Sequence, residues 1–310
     1  MKLDSAIKVI ISGLDFAGKT SILTALNKKY NFHQEIIELK PTIKVEYHQT
    51  EFLGNLVFFW DMGGQEKYRQ LYQKQQDIYF AGTDLLVYVI DIQDEERFDE
   101  SLNYLRFIIK YFQTYDMNVP VIISFHKYDP ELRSDDKINQ NIEILKQKII
   151  DLYPDMDVLF QTSSIYDIIS IVQLISYGLS VFDKVFFELS ELLEKYLIKL
   201  SCSSLILFDK DGIVISEYYN SIKPEEYVKL IESIKEHLFL LKRMQEEDYS
   251  EDLNFLTIEE GLISYLHKIK IRNESFYLSV VIKEDLKESL MNNFSDLAQD
   301  VERIFVQVIA

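Results

Sequence analysis

Eight residues constrain this chain more than any other stretch: Gly13-Leu14-Asp15-Phe16-Ala17-Gly18-Lys19-Thr20. They fit G-x-x-x-x-G-K-[ST], follow an apolar strand-like run, "AIKVIIS", and open a helical pattern over Lys19–Asn27. Glycines let such a turn point its backbone N–H groups inward at phosphate oxygens. The helix that begins there adds partial positive charge. Lys19 is expected to neutralise the β- and γ-phosphates, and the Thr20 hydroxyl to ligate Mg²⁺. Ser21, next in the helix, is placed with the nucleotide-binding residues. Taken alone, the turn specifies a nucleoside triphosphate and nothing narrower.

The pattern around the turn fits that expectation. Strand-like runs recur as "AIKVIIS", "VEYHQTEF", "NLVFFW", "DLLVYVID", "VPVIISF" and "DVLFQTS", with helical patterns over Lys19–Asn27, Glu66–Tyr79, Arg97–Tyr115 and Lys137–Leu152 between several of them. Strands spaced by helices of this length predict βαβ units and a mostly parallel six-stranded sheet with helices on both faces. "VEYHQTEFLGNLVFFW" departs from this: two β-rich runs meet at "LGN", a hairpin at the sheet edge.

Beyond Ile168 the pattern changes to helix, then two strands meeting at Asp211-Gly212, then a helix from Pro224 to about Glu247. Three β-rich runs follow, with turns at Glu260-Gly261 and Asn273-Glu274, and a last helix spans about Leu286 to Val308. The order α-β-β-α-β-β-β-α is an α+β layer and not more of the parallel sheet. The chain of 310 residues therefore reads as two domains, 1–182 and 183–310.

Composition excludes several classes. Acidic residues outnumber basic ones, 51 to 33, for a net charge of −18, which disfavours nucleic acid and anionic lipid as direct partners. The single cysteine, Cys202, forbids an internal disulfide and fits a reducing cytoplasm. No run is apolar enough to span a bilayer, Lys2 stands where myristoylation needs glycine, and "FVQVIA" offers no cysteine to prenylate. A membrane role is expected only through a partner.

Four further segments narrow the first domain. In "KPTIKVEY", Thr42 is a candidate to close over the γ-phosphate with its hydroxyl on Mg²⁺, although alone it reads as a β-branched strand residue. In "WDMGGQE", Asp61 ends an apolar strand as a Mg²⁺-site carboxylate, Gly64 offers its N–H to the γ-phosphate, and Gln65 is placed to orient the attacking water. In "SFHKYDP", Asp129 can accept from the N1–H and 2-amino group of guanine, donors that adenine lacks. The Lys127 stem can pack on the base, and His126 stands where asparagine is usual. Without the other segments this is a charged strand exit. In "QTSSIYD", backbone N–H groups near Ser164 and Ile165 are placed to meet guanine O6. The phosphate loop, Thr42, D-x-x-G-Q and K-x-D appear in the order a small GTPase requires, each at a strand end.

The first domain resembles the small GTPases. "GLDFAGKT" and "WDMGGQEKYRQLY" look Arf-like. "PTIKVEYHQTEFLGNLVFFWDMGGQ", the histidine of "HKYD" and "TSSIYD" are similar to the Rag (Gtr) GTPases. "SSLILFDKDGIVISEYY" looks like the first hairpin of the roadblock-like domain through which two Rag subunits dimerise. The resemblance implies an α/β P-loop GTPase domain followed by an α+β roadblock/longin-like domain. It implies that Gly13, Asp15, Phe16, Ala17, Gly18, Lys19 and Thr20 line the phosphates, and that Thr20, Thr42 and Asp61 hold Mg²⁺. Gly64 meets the γ-phosphate, and Gln65 and Lys19 act catalytically on bound GTP, with GDP as product. His126, Lys127, Asp129, Ser164 and Ile165 surround the base.

Implied partners are a second copy or a related Rag-like GTPase, a roadblock-type scaffold, and activating and exchange proteins. Departures accompany these. Lys44 stands where the Arf pattern has glycine, which puts Arf-type switch movement in doubt. Asp15 occupies a position where bulk hinders an arginine finger, and no arginine lies between Tyr30 and Gln49. Slow turnover that needs an activator is the expectation. The alternative is a nucleotide-bound scaffold whose role is dimerisation. A third reading, an ATP-using P-loop enzyme, is opposed by Asp129. His237 and His267 read as ordinary helix and strand residues.

Overall fold

The computed structural model describes residues 6–28, 33–52, 55–154, 156, 158–180, 185–210, 212, 214–219, 224–246, 254–259, 261–271 and 274–309. They separate into two compact units, the first reaching Leu174 and the second beginning at Ile175.

The first unit runs β1 (Ile7–Gly13), α1 (Lys19–Lys28), α2 (His33–Glu38), β2 (Val45–Phe52), β3 (Asn55–Met62), α3 (Glu66–Lys74), α4 (Gln76–Phe80), β4 (Leu85–Asp91), α5 (Phe98–Thr114), β5 (Val121–His126), α6 (Asp136–Leu152), β6 (Val158–Ser163) and α7 (Ile168–Ser180). Its six strands lie in the order β2-β3-β1-β4-β5-β6. All neighbours are parallel except β2, which pairs antiparallel with β3 at the sheet edge, as the "LGN" hairpin predicts. Residues 53 and 54 of that turn lie outside the described set.

The near-continuous apolar runs of β1, β4 and β5 have a physical reason: both faces are covered. Ile10, Tyr88 and Ile123 point to one face, against Leu105, Ile108 and Phe112 of α5 and Leu145 and Ile149 of α6. Val9, Ile11, Val87 and Val89 alternate to the other face, where α1 packs on β1 and β3. The α6 start is fixed locally: Asp135 accepts from the N–H groups of Lys137 and Ile138 at 2.8 and 3.0 Å.

Two features depart from the sequence expectation. The helix expected over Glu66–Tyr79 is broken at Gln75, whose φ of −128° and ψ of 48° leave the helical region. No proline or glycine causes this. Instead Phe80 is fixed in the core against Phe112, and Lys8 donates to the carbonyls of Tyr79 and Ala81 at 2.8 Å each. Tertiary anchoring thus redirects the chain. The second feature is α2, a one-and-a-half-turn helix for which no periodicity was evident.

The second unit takes up the end of α7 and continues α8 (Val185–Leu200), β7 (Ser204–Asp209), β8 (Val214–Tyr219), α9 (Pro224–Glu246), β9 (Phe255–Glu259), β10 (Leu262–Ile271), β11 (Glu274–Lys283) and α10 (Lys287–Ile309). The expected α-β-β-α-β-β-β-α order is present. The five strands form one antiparallel sheet, β8-β7-β11-β10-β9, which fits a roadblock-like domain. Phe276 of β11 stacks on Phe305 of α10, with centroids 4.2 Å apart. Ser279 of β11 points to the opposite face and meets His237 of α9. Helices therefore cover both faces of this sheet too. Gly212 and Gly261 turn with φ of 70° and 80°, while Asp211, Glu260 and Asn273 lie outside the described residues. No helix among the described residues is long and apolar enough to cross a membrane.

Candidate active site

The loops leaving the carboxyl ends of β1, β3, β4, β5 and β6 meet in a cleft of about 450 Å³, where an open α/β sheet characteristically holds its ligand. Strand order reverses at β1, flanked by β3 and β4, and the Gly13–Thr20 turn leaves β1 there. Gly18 adopts a φ of 94°, and a Cβ on it would stand 2.4 Å from the His126 ring. Only glycine fits that contact. Phe16, also left-handed at 61°, is 74% exposed at the cleft mouth.

Lys19 is 6% exposed. Its ammonium donates to the Leu14 carbonyl at 2.6 Å and the Gly13 carbonyl at 3.1 Å. Burial pushes its pKa down to about 8, against the opposing pull of Asp61 and Asp15.

One corner joins three segments. The Thr20 hydroxyl donates to Asp61 Oδ2 at 2.5 Å, lies 2.9 Å from the Thr42 hydroxyl, and Thr42 in turn reaches Asp61 Oδ2 at 3.3 Å. Asp61 is 0% exposed. The donor set is entirely oxygen, which fits Mg²⁺, a hard cation that takes carboxylate, hydroxyl and water oxygens.

Gly64 lies against the phosphate loop: a Cβ on it would stand 2.2 Å from the Asp15 nitrogen. Gln65 follows at the start of α3 and lines the cleft. Lys44 holds the facing segment. Its carbonyl accepts from the Gly63 N–H at 2.7 Å and the Tyr72 hydroxyl at 2.6 Å. Its φ is 59°, so lysine here takes a left-handed backbone that glycine would adopt without steric cost.

At the far end of the cleft, Asp129 Oδ1 accepts from the Ser164 hydroxyl at 2.6 Å and Oδ2 from the Gln93 amide at 3.1 Å. Lys127, left-handed at 62°, pairs with Asp91 at 2.5 Å. His126 is 2% exposed and its Nδ1 lies 2.8 Å from the Ser163 hydroxyl. Burial, and then Lys127, push its imidazole down to about 3, so it stays neutral. The Ser164 N–H donates to the Ser170 hydroxyl at 3.0 Å, while Ile165 lines the cleft.

The family model of the Gtr1/RagA G protein conserved region matches residues 8–237. The chain belongs to the Gtr1/RagA family. Among relatives, Ras-related GTP-binding protein A of Dictyostelium discoideum is 25% identical over 298 residues, covering 91% of each chain. GTP-binding protein gtr1 of Schizosaccharomyces pombe is 26% identical over 299 residues, covering 92% of each. A solved small GTPase from Trypanosoma brucei with the nucleotide analogue GppNp aligns at a TM-score of 0.47 and 19% identity, over 57% of this chain and 97% of its own. As a Gtr1/RagA GTPase, the chain binds GTP and GDP, hydrolyses GTP and acts as a switch.

The structure of this Gtr1/RagA GTPase adds residues that the motifs did not announce. Gln93 donates to both the Lys127 carbonyl, at 2.8 Å, and Asp129. Arg69 donates to the Gly64 carbonyl at 2.9 Å and pairs with Glu100. Arg97 links the same Glu100, at 3.0 Å, to the Asp15 carboxylate, at 2.6 Å. Arg97, with Arg69 beside it, holds the Glu100 carboxyl below its usual range. A polar chain therefore runs from Gly64 to Asp15 behind the cleft. The only sequence signal for it was the i, i+3 spacing of Arg97 and Glu100.

Proposed function

We propose that this chain is a Mg²⁺-dependent Rag-like switch with slow intrinsic GTP hydrolysis. The observation that carries the reading is the Thr20–Thr42–Asp61 corner, which joins the phosphate loop, the segment before β2 and the end of β3 beside Lys19. Thr20, Thr42 and Asp61 would hold Mg²⁺, which supplies charge neutralisation at the β- and γ-phosphates. Lys19 neutralises the same oxygens, and the turn from Gly13 to Ser21 wraps them. Gly64 offers its N–H to the γ-phosphate, and Gln65 orients water for attack.

Hydrolysis then removes the group that holds Thr42 and Gly64, and the two segments part from the loop. Asp129 selects guanine, with Ser164 and Gln93 holding its carboxylate in plane. Each carboxylate oxygen has a second lone pair left for the base. Lys127 packs on the base, His126 ties the base loop to Gly18, and Ile165 faces O6.

Slow turnover follows from the arginines. Arg97 is paired with Asp15 and Arg69 with Glu100, and neither lines the cleft. An activating protein would supply the missing cation. We assign residues 1–182 to the GTPase domain and 183–310 to a roadblock-like dimerisation domain that pairs with a second copy or a related GTPase. A roadblock-type scaffold and exchange proteins complete the set of partners, in a cytoplasmic setting with membrane recruitment through a partner.

Single-turnover hydrolysis of GTP and ATP, on wild type and Gln65→Leu, tests this. GTP cleavage that is slow, lost in the variant and absent with ATP is expected. Tight GTP binding without cleavage, alike in both, replaces the switch with a nucleotide-bound scaffold. Equal use of ATP overturns the role of Asp129.

A further inference from the structure

The edge hairpin carries a cluster of which the nucleotide site uses only Asp61, through its Oδ2. In the β2–β3 register, Glu46 stands opposite Asp61 and His48 opposite Phe59. Glu46 and His48 are two apart and so share one face of β2. Glu46, His48 and Asp61 each offer a ligand atom, and these atoms lie within 4.8 Å of one another. Asp61 is fully buried. Its Oδ2 is engaged by Thr20 and Thr42, whereas its Oδ1 has no hydrogen-bond partner. The buried Nε2 of His48 also lacks one.

A buried polar atom left unpaired is unfavourable, and here two belong to one cluster. Two carboxylates directly opposite each other across a strand pair also repel. Water relieves the first problem but brings no charge; a cation relieves both.

We propose that Glu46, His48 and Asp61 form a divalent transition-metal site that shares the Asp61 carboxylate with the Mg²⁺ position at Thr20, Thr42 and Asp61. One imidazole and two carboxylates suit Zn²⁺, with water in a fourth position on the exposed Glu46 side. Mg²⁺ prefers all-oxygen surroundings, so the imidazole selects against it.

Asp61 then joins two functions, with Oδ1 on the transition metal and Oδ2 on the threonine hydroxyls. A cation on Oδ1 draws charge from Oδ2 and weakens its hold on Thr42, so the metal tunes how readily that segment leaves the phosphate loop. This consequence, though not the binding itself, rests on the switch reading given above.

The test uses the full chain loaded with GDP in excess Mg²⁺. Co²⁺, a spectroscopic stand-in for Zn²⁺, is titrated and followed by its visible absorption, with Zn²⁺ as competitor. One equivalent with tetrahedral bands, displaced by Zn²⁺, is expected in the wild type. His48→Gln and Glu46→Gln should each weaken uptake by at least about tenfold, with GDP affinity in Mg²⁺ unchanged. Wild type without such bands, or uptake unaltered in both variants, overturns the proposal. So does a loss of Co²⁺ and GDP together, since the strands would then only support the nucleotide site. A chain that takes up Co²⁺ through His48 yet holds no GDP overturns the nucleotide reading alone.

Discussion

His126 in the first unit and His237 in the second are nearly the same group. Each is 2% exposed, and each has a ring nitrogen within 2.8 Å of a serine hydroxyl: Ser163 for His126, Ser279 and Ser264 for His237. Burial pushes the first to about 3 and the second to about 4. Yet His126 ends a parallel strand at the cleft, against Gly18, whereas His237 pins α9 to the middle of an antiparallel sheet. In a parallel sheet all strand ends converge on one edge, so a buried polar contact there can position loops around a ligand. In an antiparallel sheet covered on both faces, the same contact serves packing and register. Position in the topology separates the two histidines; their local chemistry does not.

The largest expected effect is at Lys19, a buried lysine that has no counterpart among the described residues of the second unit. Hydrogen bonds to charged groups contribute about 1.5–3 kcal/mol each, so Lys19→Met should weaken GDP binding by about a hundredfold in fluorescent-nucleotide displacement. In the wild type, the free-protein pKa of about 8 rises beside phosphate, and a proton is taken up on binding above that pH. Affinity should therefore fall by about tenfold per pH unit above 8.

Next come His126→Ala and His237→Ala. His237→Ala takes this partner from the Ser264 and Ser279 hydroxyls, His126→Ala takes one of the two partners of Ser163, which keeps Ser124, and each opens a cavity; the cost should be about 2–4 kcal/mol in urea unfolding. Only His126→Ala should also weaken GDP binding. Equal loss of GDP affinity in both variants would break the comparison.

Acid sharpens it further. His237 has a lower pKa folded, about 4, than the value of about 6.5 usual for an unfolded chain. The unfolded chain therefore binds more protons between those values. The stability contributed by neutral His237 is complete above pH 6.5, declines as pH falls and is gone below 4, about 3 kcal/mol in all. His237→Gln should flatten the stability-versus-pH curve over that window.

The smallest effect belongs to Gln93. Gln93→Ala frees one oxygen of Asp129 to rotate. It should narrow the preference for GDP over inosine diphosphate, which lacks the 2-amino group, by several-fold, or about 1 kcal/mol. Discrimination unchanged from wild type would reduce Gln93 to a loop brace.

Much of the first unit was legible because its signals are local. The Gly13–Thr20 turn, Asp61 at a strand end and the alternation of apolar runs with helical patterns each depend on neighbours in sequence. Lys44 shows the limit of that approach. The sequence showed a lysine where the Arf pattern has glycine but not its backbone, which is left-handed at a φ of 59° while its carbonyl accepts two hydrogen bonds, from Gly63 and Tyr72. The break at Gln75 was equally hidden, because its causes, Phe80 in the core and Lys8 from β1, lie outside the helix. Gln93 and the Arg69–Glu100–Arg97 chain carry no motif, since any polar residue looks alike until the fold supplies its partner.

By itself, then, the sequence determined the strand order along the chain, most of the helices, the glycine-rich turn from Gly13 to Thr20, the place of Asp129 after an apolar strand and the change from parallel to antiparallel sheet. These follow from periodicity and from residue types that only certain backbone shapes or ligands accept. Tertiary structure alone decided which polar groups meet: Thr20 with Asp61, Gln93 with Asp129, His237 with two serines, and Glu46 and His48 beside an unpaired carboxylate oxygen. The hydrogen-bonded pairs among these span 27 to 42 residues along the chain, and Glu46 and His48 lie 15 and 13 residues before Asp61. Hydrogen bonds act over about 3 Å, so only the completed fold can bring those groups into reach.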